Sequence, residues 1–222
     1  MLAVVVLLGA LGCGGGGDDE GAAKRAIEAD AQERAERIAL QLSDFPDGWR
    51  ASEGGEAGDT GLRKCAGTDY SDLTIVGEHR SDDFASSETT QAFSTVTIFD
   101  SQSDVETATT RFRSDITSDE VAGCLRDAVE ESDDADEFEV GEVDIGELSF
   151  TPPEVEGAQA WQIVIPFDFT SGDAAGQSVK GYVDVFVLHE GDAVALIGTF
   201  DVLAPFDSSL RDDLLAAVAS RM

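Results

Sequence analysis

The chain has 222 residues, with 46 Asp or Glu against 14 Lys or Arg, a formal net charge of −32. Such a field repels phosphate backbones and anionic lipid, which excludes nucleic-acid binding through a basic surface. A hydrophobic content of 42% is enough for a core, so the composition also excludes a wholly disordered chain, and the length allows one sizeable domain with a leader and a linker.

Leu2 to Leu11 is an uninterrupted run of apolar residues and glycine, leading into Gly12-Cys13. A helix of about ten residues spans about 15 Å, half of a bilayer core of about 30 Å. That length suits the apolar region of a secretory signal. The end of the run, Leu11-Gly12-Cys13, resembles a bacterial lipoprotein signal, whose cysteine is diacylated and becomes the new N-terminus. Ala10 stands where that family favours leucine, and no Lys or Arg precedes the apolar run. The resemblance implies a signal peptide over 1–12, a lipid on Cys13 and a place on the extracytoplasmic face of the cell membrane. Plain secretion and an uncleaved anchor are the alternatives. Residues 13–23, Gly14 to Gly17 and then Asp18-Asp19-Glu20, read as a pliant, self-repelling tether to a single domain over 24–222.

Ile27, Ala31, Ala35, Ile38 and Leu42 recur at steps of three or four, predicting a helix from Lys24 to about Ser43. Pro46 and Gly48 end it, and an irregular Gly-rich stretch runs from Ser52 to Gly61. Leu73–His79 and Ala92–Phe99 read as strands. Ser103-x-x-Glu106 and Thr117-x-x-Glu120 have the form of capping boxes for two helices, the first carrying Val105, Ala108, Phe112 and Ile116. The second carries Val121, Cys124, Leu125 and Ala128 on its apolar face. The acidic stretch 130–139 reads as a solvated turn, without the glycine and terminal glutamate spacing of a calcium loop.

Trp161, Ile163, Ile165, Phe167 and Phe169 alternate along one strand, and Val179, Gly181, Val183, Val185 and Val187 along the next. A third strand, Ala193–Phe200, completes an antiparallel meander. A last helix, capped by Asp207 or Ser208, carries Leu210, Leu214 and Val218. The expected fold is α+β, an antiparallel sheet of about six strands with packed helices in an α/β sandwich.

With Cys13 taken by lipid, Cys65 and Cys124 form an even pair in an oxidising compartment, where a disulfide is the default. Two buried free thiols are the alternative. Both cysteines are solitary, with no Cys-x-x-Cys spacing and no histidine nearby, so no metal site is expected. His79 and His189 lie at predicted strand ends and read as surface residues. No Gly-x-Ser-x-Gly turn or phosphate loop is present. No catalytic residue, metal or cofactor is therefore expected. Among the aromatics, strand alternation assigns Trp161, Phe167 and Phe169 to core packing. Trp49, in a turn, is the candidate for the edge of a ligand pocket.

The segment Leu42-Ser43-Asp44-Phe45-Pro46-Asp47-Gly48-Trp49, Cys65 before the first strands, Cys124 in the central helix, the closing strands and the last helix ending near Ser220-Arg221 form a familiar layout. Over most of residues 38–222 the chain resembles the actinobacterial family of extracellular sensor-like domains, found on certain receptor serine/threonine kinases and on stand-alone lipoproteins. The resemblance implies a central antiparallel sheet in an α/β sandwich with a ligand-binding cleft. Members often have two disulfides, whereas this chain has cysteines for one. The expectation is a monomeric, membrane-anchored cell-envelope lipoprotein that binds or senses an envelope ligand or protein without catalysis. The alternative is a structural or assembly factor that contacts another envelope protein through its acidic surface.

Overall fold

The computed structural model describes residues 16–52, 65, 68–131, 137–172 and 174–222. Cys13, the expected signal segment 1–12, residues 53–61 of the Gly-rich stretch and the centre of the acidic turn lie outside the described residues. The first helix, α1, spans Gly16–Ile38. It begins before Lys24, so the 13–23 stretch expected as a tether is helical from Gly16 onward. A helix once nucleated extends at little cost per residue. It also ends earlier than the periodicity suggests. The Leu40 amide turns away to donate to Ser94 Oγ at 2.9 Å, and Leu42 falls in a short 3-10 turn, Leu42–Asp44. Ala31, Ala35 and Ile38 are buried as expected, but Ile27 is 59% exposed.

Among the described residues nine strands form one antiparallel sheet: β1 (Arg50–Ser52), β2 (Ile75–Arg80), β3 (Asp83–Ala85), β4 (Thr90–Phe99), β5 (Phe138–Val140), β6 (Asp144–Glu147), β7 (Gly157–Phe169), β8 (Ser178–Glu190) and β9 (Ala193–Val202). The order is β1-β3-β4-β9-β8-β7-β5, with β2 also on β4 and β6 also on β7. About six strands were expected. The surplus arises because β1, β3 and β5 contribute three residues each, too few to display an alternation. The meander β7-β8-β9 stands as read.

Three further helices, α2 (Gln102–Ile116), α3 (Asp119–Glu130) and α4 (Ser208–Ala219), complete the described fold. Their caps shift slightly from the sequence reading. Ser101, not Ser103, accepts from the Asp104 amide, and Ser118, not Thr117, accepts from the Val121 amide. In each case the chosen serine has extended backbone angles, which a helix N-cap requires. Asp207 caps α4 by accepting from the Leu210 amide.

The helices cover both faces of the sheet, giving an α/β sandwich. Helices α1 and α4 pack on the face to which the even-numbered residues of β4, β7 and β8 and the odd-numbered residues of β9 point, hereafter the even-numbered face, where Val96, Phe186, Leu188 and Ile197 meet Ile38, Leu214 and Val218. Helices α2 and α3 pack on the odd-numbered face, where Trp161, Ile163, Val185 and Val187 meet Phe112, Ile116 and Leu125. This arrangement follows from the period of two along each strand, which sends alternate side chains to opposite layers.

Residue 221 ties the last helix to the first. Its guanidinium donates through Nη1 to Asp44 Oδ1 at 2.9 Å and through Nη2 to Asp44 Oδ2 at 2.8 Å and the Ala39 carbonyl at 3.1 Å. Asp44 is 9% exposed and Arg221 20% exposed at the side chain, so the pair is shielded from solvent competition. Arg221→Ala leaves the Asp44 carboxylate without its cation. Its expected cost is about 2 kcal/mol, or a fall in Tm of about 6 °C, measurable by calorimetry.

Candidate functional site

Cys65 and Cys124 form a disulfide, with Cα atoms 5.4 Å apart. Helix α3 sets the position of Cys124, on the flank that faces the odd-numbered layer, and Cys65 is buried in the same cluster. The bridge fixes Cys65 against the layer that also carries Trp161.

Along the edge of β7 lies a slot of about 300 Å³. One wall is polar. Gln159 and Trp161, two residues apart, share the odd-numbered face, and Glu147 on β6 is the register partner of Trp161. Phe112 of α2 meets the Trp161 indole edge-on, with ring centroids 5.7 Å apart, and the neighbouring Arg113 reaches Glu147 Oε1 at 3.5 Å. The other wall is apolar, formed by Leu148, Phe150 and Ala158, which pack against the opposite core. Two polar atoms here lack protein partners although both are buried: the Trp161 indole N–H and Gln159 Oε1. Buried polar groups are nearly always hydrogen-bonded, so these two are exceptions among the residues that line the slot, and both atoms are closed off from solvent.

A second polar row crosses the even-numbered face. Asp184 on β8 is 2% exposed and lies in register between Gln162 on β7 and Thr199 on β9. Gln162 Nε2 donates to Asp184 Oδ1 at 2.9 Å, while the Thr199 hydroxyl is buried without a partner. Burial pushes the Asp184 carboxyl above the usual carboxylate range, against the smaller opposing effects of the Gln162 hydrogen bond and the Arg211 charge. The folded state therefore holds this proton more tightly than the unfolded chain. The resulting stability is complete below the ordinary aspartate range and is lost as pH rises through the raised value. Asp184→Asn, neutral at every pH, should be more stable than the parent near neutrality. That difference should vanish in acid, as urea unfolding at the two pH values will show.

Trp49 stacks on Phe45 at 4.6 Å and meets Phe206 edge-on at 6.1 Å, half-buried at the rim of the even-numbered core. It does not line the β7 slot. His79 pairs with Val96 and shares the even-numbered face, whereas His189 pairs with Val194 on the odd-numbered face. The sheet separates the two imidazoles, so they cannot act together. Among the described residues no group of His, Cys, Asp and Glu could hold a metal ion, and no helix is long and apolar enough to cross a membrane.

Sequence reasoning missed Gln159, Glu147 and Arg113, because strand register and helix packing assemble them rather than spacing along the chain. Asp184 did carry a signal, a lone carboxylate in the apolar run Tyr182 to Leu188. No protein-family model matches the chain, and no curated protein matches it.

Proposed function

We propose that the chain is a lipid-anchored, non-enzymatic binding or sensing domain of the cell envelope, held to the extracytoplasmic face of the membrane through Cys13. The observation that carries the binding role is the β7 slot, a cavity lined by Leu148, Phe150 and Ala158 together with the exposed polar side chains of Arg113 and Glu147. Such a combination of apolar lining and a few convergent polar groups is what small-molecule sites use for affinity and orientation. The Cys65–Cys124 disulfide supports an oxidising, extracytoplasmic compartment.

Two measurements test the two halves of this reading. Native protein extracted from membranes should have the intact mass of a chain beginning at Cys13 with added acyl groups, and Cys13→Ala should lose that mass. An unmodified chain retaining Met1 would refute the anchor. For binding, a small-molecule screen should raise Tm, since a ligand that binds only the folded state stabilises it by mass action. The charge of −32 favours a second reading, an assembly factor that docks a basic envelope partner. Stoichiometric co-purification with one protein and no small-molecule response would select it.

A further inference from the structure

The even-numbered face holds a buried acid and a nearby cation that are not hydrogen-bonded to each other. Asp184 is 2% exposed, and among the described residues only its Oδ1 has a partner, accepting from Gln162 Nε2 at 2.9 Å. Arg211 of α4 lies over the same strand, its guanidinium carbon 5.9 Å from the Phe186 ring centroid. Phe186 is two residues along from Asp184, about 6.6 Å away on the same face. The Arg211 charge acts on Asp184 and favours its ionised form. Yet its hydrogen bonds go elsewhere, from Nε at 3.0 Å and Nη2 at 2.9 Å to one oxygen, Oδ1 of Asp212. Nη1 has no acceptor among the described residues.

We infer that Asp184, Arg211 and Asp212 form a proton-operated exchange between the sheet and helix α4. While Asp184 is neutral the guanidinium stays on Asp212, and when Asp184 ionises it turns to Asp184 and releases Asp212 to the exterior. The two carboxylates differ in what they gain from a cation. Asp212 is 44% exposed at the side chain, so water competes for it and the ion pair there adds little. An ionised Asp184 with one neutral hydrogen bond has far more to gain, because a buried charge without a counter-ion is among the costliest groups in a fold. Arg211 is itself only 12% exposed, so the turn takes little further surface from water, and both hydrogens of Nη1 are uncommitted.

No other cation competes for the role. The groups that flank Asp184 from β7 and β9 are neutral, Gln162 and Thr199, and the unpaired Thr199 hydroxyl is a further donor directly across in register. Along β8 the same face carries Tyr182 and Phe186, with the exposed Lys180 about 13 Å away. Asp201, two residues beyond Thr199, accepts from Thr90 Oγ1 and supplies a like charge. The segment between β6 and β7 packs on Phe186 through Phe150 and carries Glu154 and Glu156, both exposed. On α4 itself Asp207 caps the helix and Asp213 is exposed. Because burial holds Asp184 above the ordinary carboxylate range, the exchange runs as pH rises through that raised value and reverses as pH falls.

The test is an NMR pH titration of the disulfide-intact protein over the range in which it stays folded. It follows the Asp184 and Asp212 carboxyl carbons and the Arg211 Nε–Hε pair, assigned through Asp184→Asn, Asp212→Asn and Arg211→Lys. Arg211 should show a step that shares the Asp184 midpoint, and Asp212 a second step at the same midpoint as it loses its cation. Asp184→Asn should remove both steps and leave only the ordinary Asp212 titration in acid. An Arg211 signal that stays flat through the Asp184 titration would overturn the inference, and so would a step that survives in Asp184→Asn. An Asp184 carboxyl that never ionises while the fold stands would overturn it as well. The first and last of these outcomes are read on the parent protein, so the inference stays open to refutation even if a variant fails to fold.

Discussion

Gly77→Ala is expected to destabilise the fold by about 3 kcal/mol, the upper end of overpacking costs, and to lower Tm by about 9 °C. A Cβ at this position would lie 2.6 Å from the Ala31 carbonyl carbon, 2.7 Å from its oxygen and 2.8 Å from the Gln32 amide nitrogen. All three atoms belong to the α1 backbone, so no side-chain rotation relieves the clash. The helix must lift from β2, which opens the Ala31, Ala35 and Ile38 contacts along the same face. In an ordinary strand the same substitution is neutral or favourable, because glycine weakens strand interiors. Gly123→Ala provides the control. Its Cβ meets nothing within 4 Å, and in the interior of α3 it should add about 1 kcal/mol of stability. Calorimetric melting of the two variants side by side should therefore give shifts of opposite sign.

Removal of the disulfide is the larger effect. The bridge closes a separation of 59 residues. The loop-entropy relation assigns such a closure about 4 kcal/mol, a fall in Tm of about 12 °C on reduction or in the Cys65→Ser/Cys124→Ser double variant. The loss should exceed the chain-entropy figure if Cys65 also leaves the cluster it shares with Phe112 and Trp161. An unfolding midpoint in guanidinium that is indifferent to reductant would show that the bridge carries no stability.

The long elements were legible because each carries a full period of pattern. Strands β7 and β8 run over thirteen residues each and carry their apolar alternation through residues 161–169 and 179–187, and α3 places Cys124 inward by its own apolar spacing. Short elements were not, since three residues of β1 or β3 carry no period. The end of α1 was misjudged for a different reason. Leu42 continues the helical spacing, but the buried Ser94 hydroxyl captures the Leu40 amide, a tertiary contact invisible to local pattern. The slot was hidden on the same principle. Trp161 reads as core and is core, at 2% exposed, yet only strand register sets Glu147 opposite it and only helix packing brings Arg113 to the same slot. Gly77 lies inside the strand read over Leu73–His79, with nothing in the local pattern to show that a helix backbone rests on it.

The clasp between Arg221 and Asp44 also bears on how far the domain can be trimmed. Arg221 holds the corner after α1 through Asp44 and the Ala39 carbonyl, and Arg34 of α1 donates to the Met222 carbonyl. Residues 221 and 222 are therefore working parts of the even-numbered layer, and cutting the chain after residue 220 should cost at least as much stability as Arg221→Ala.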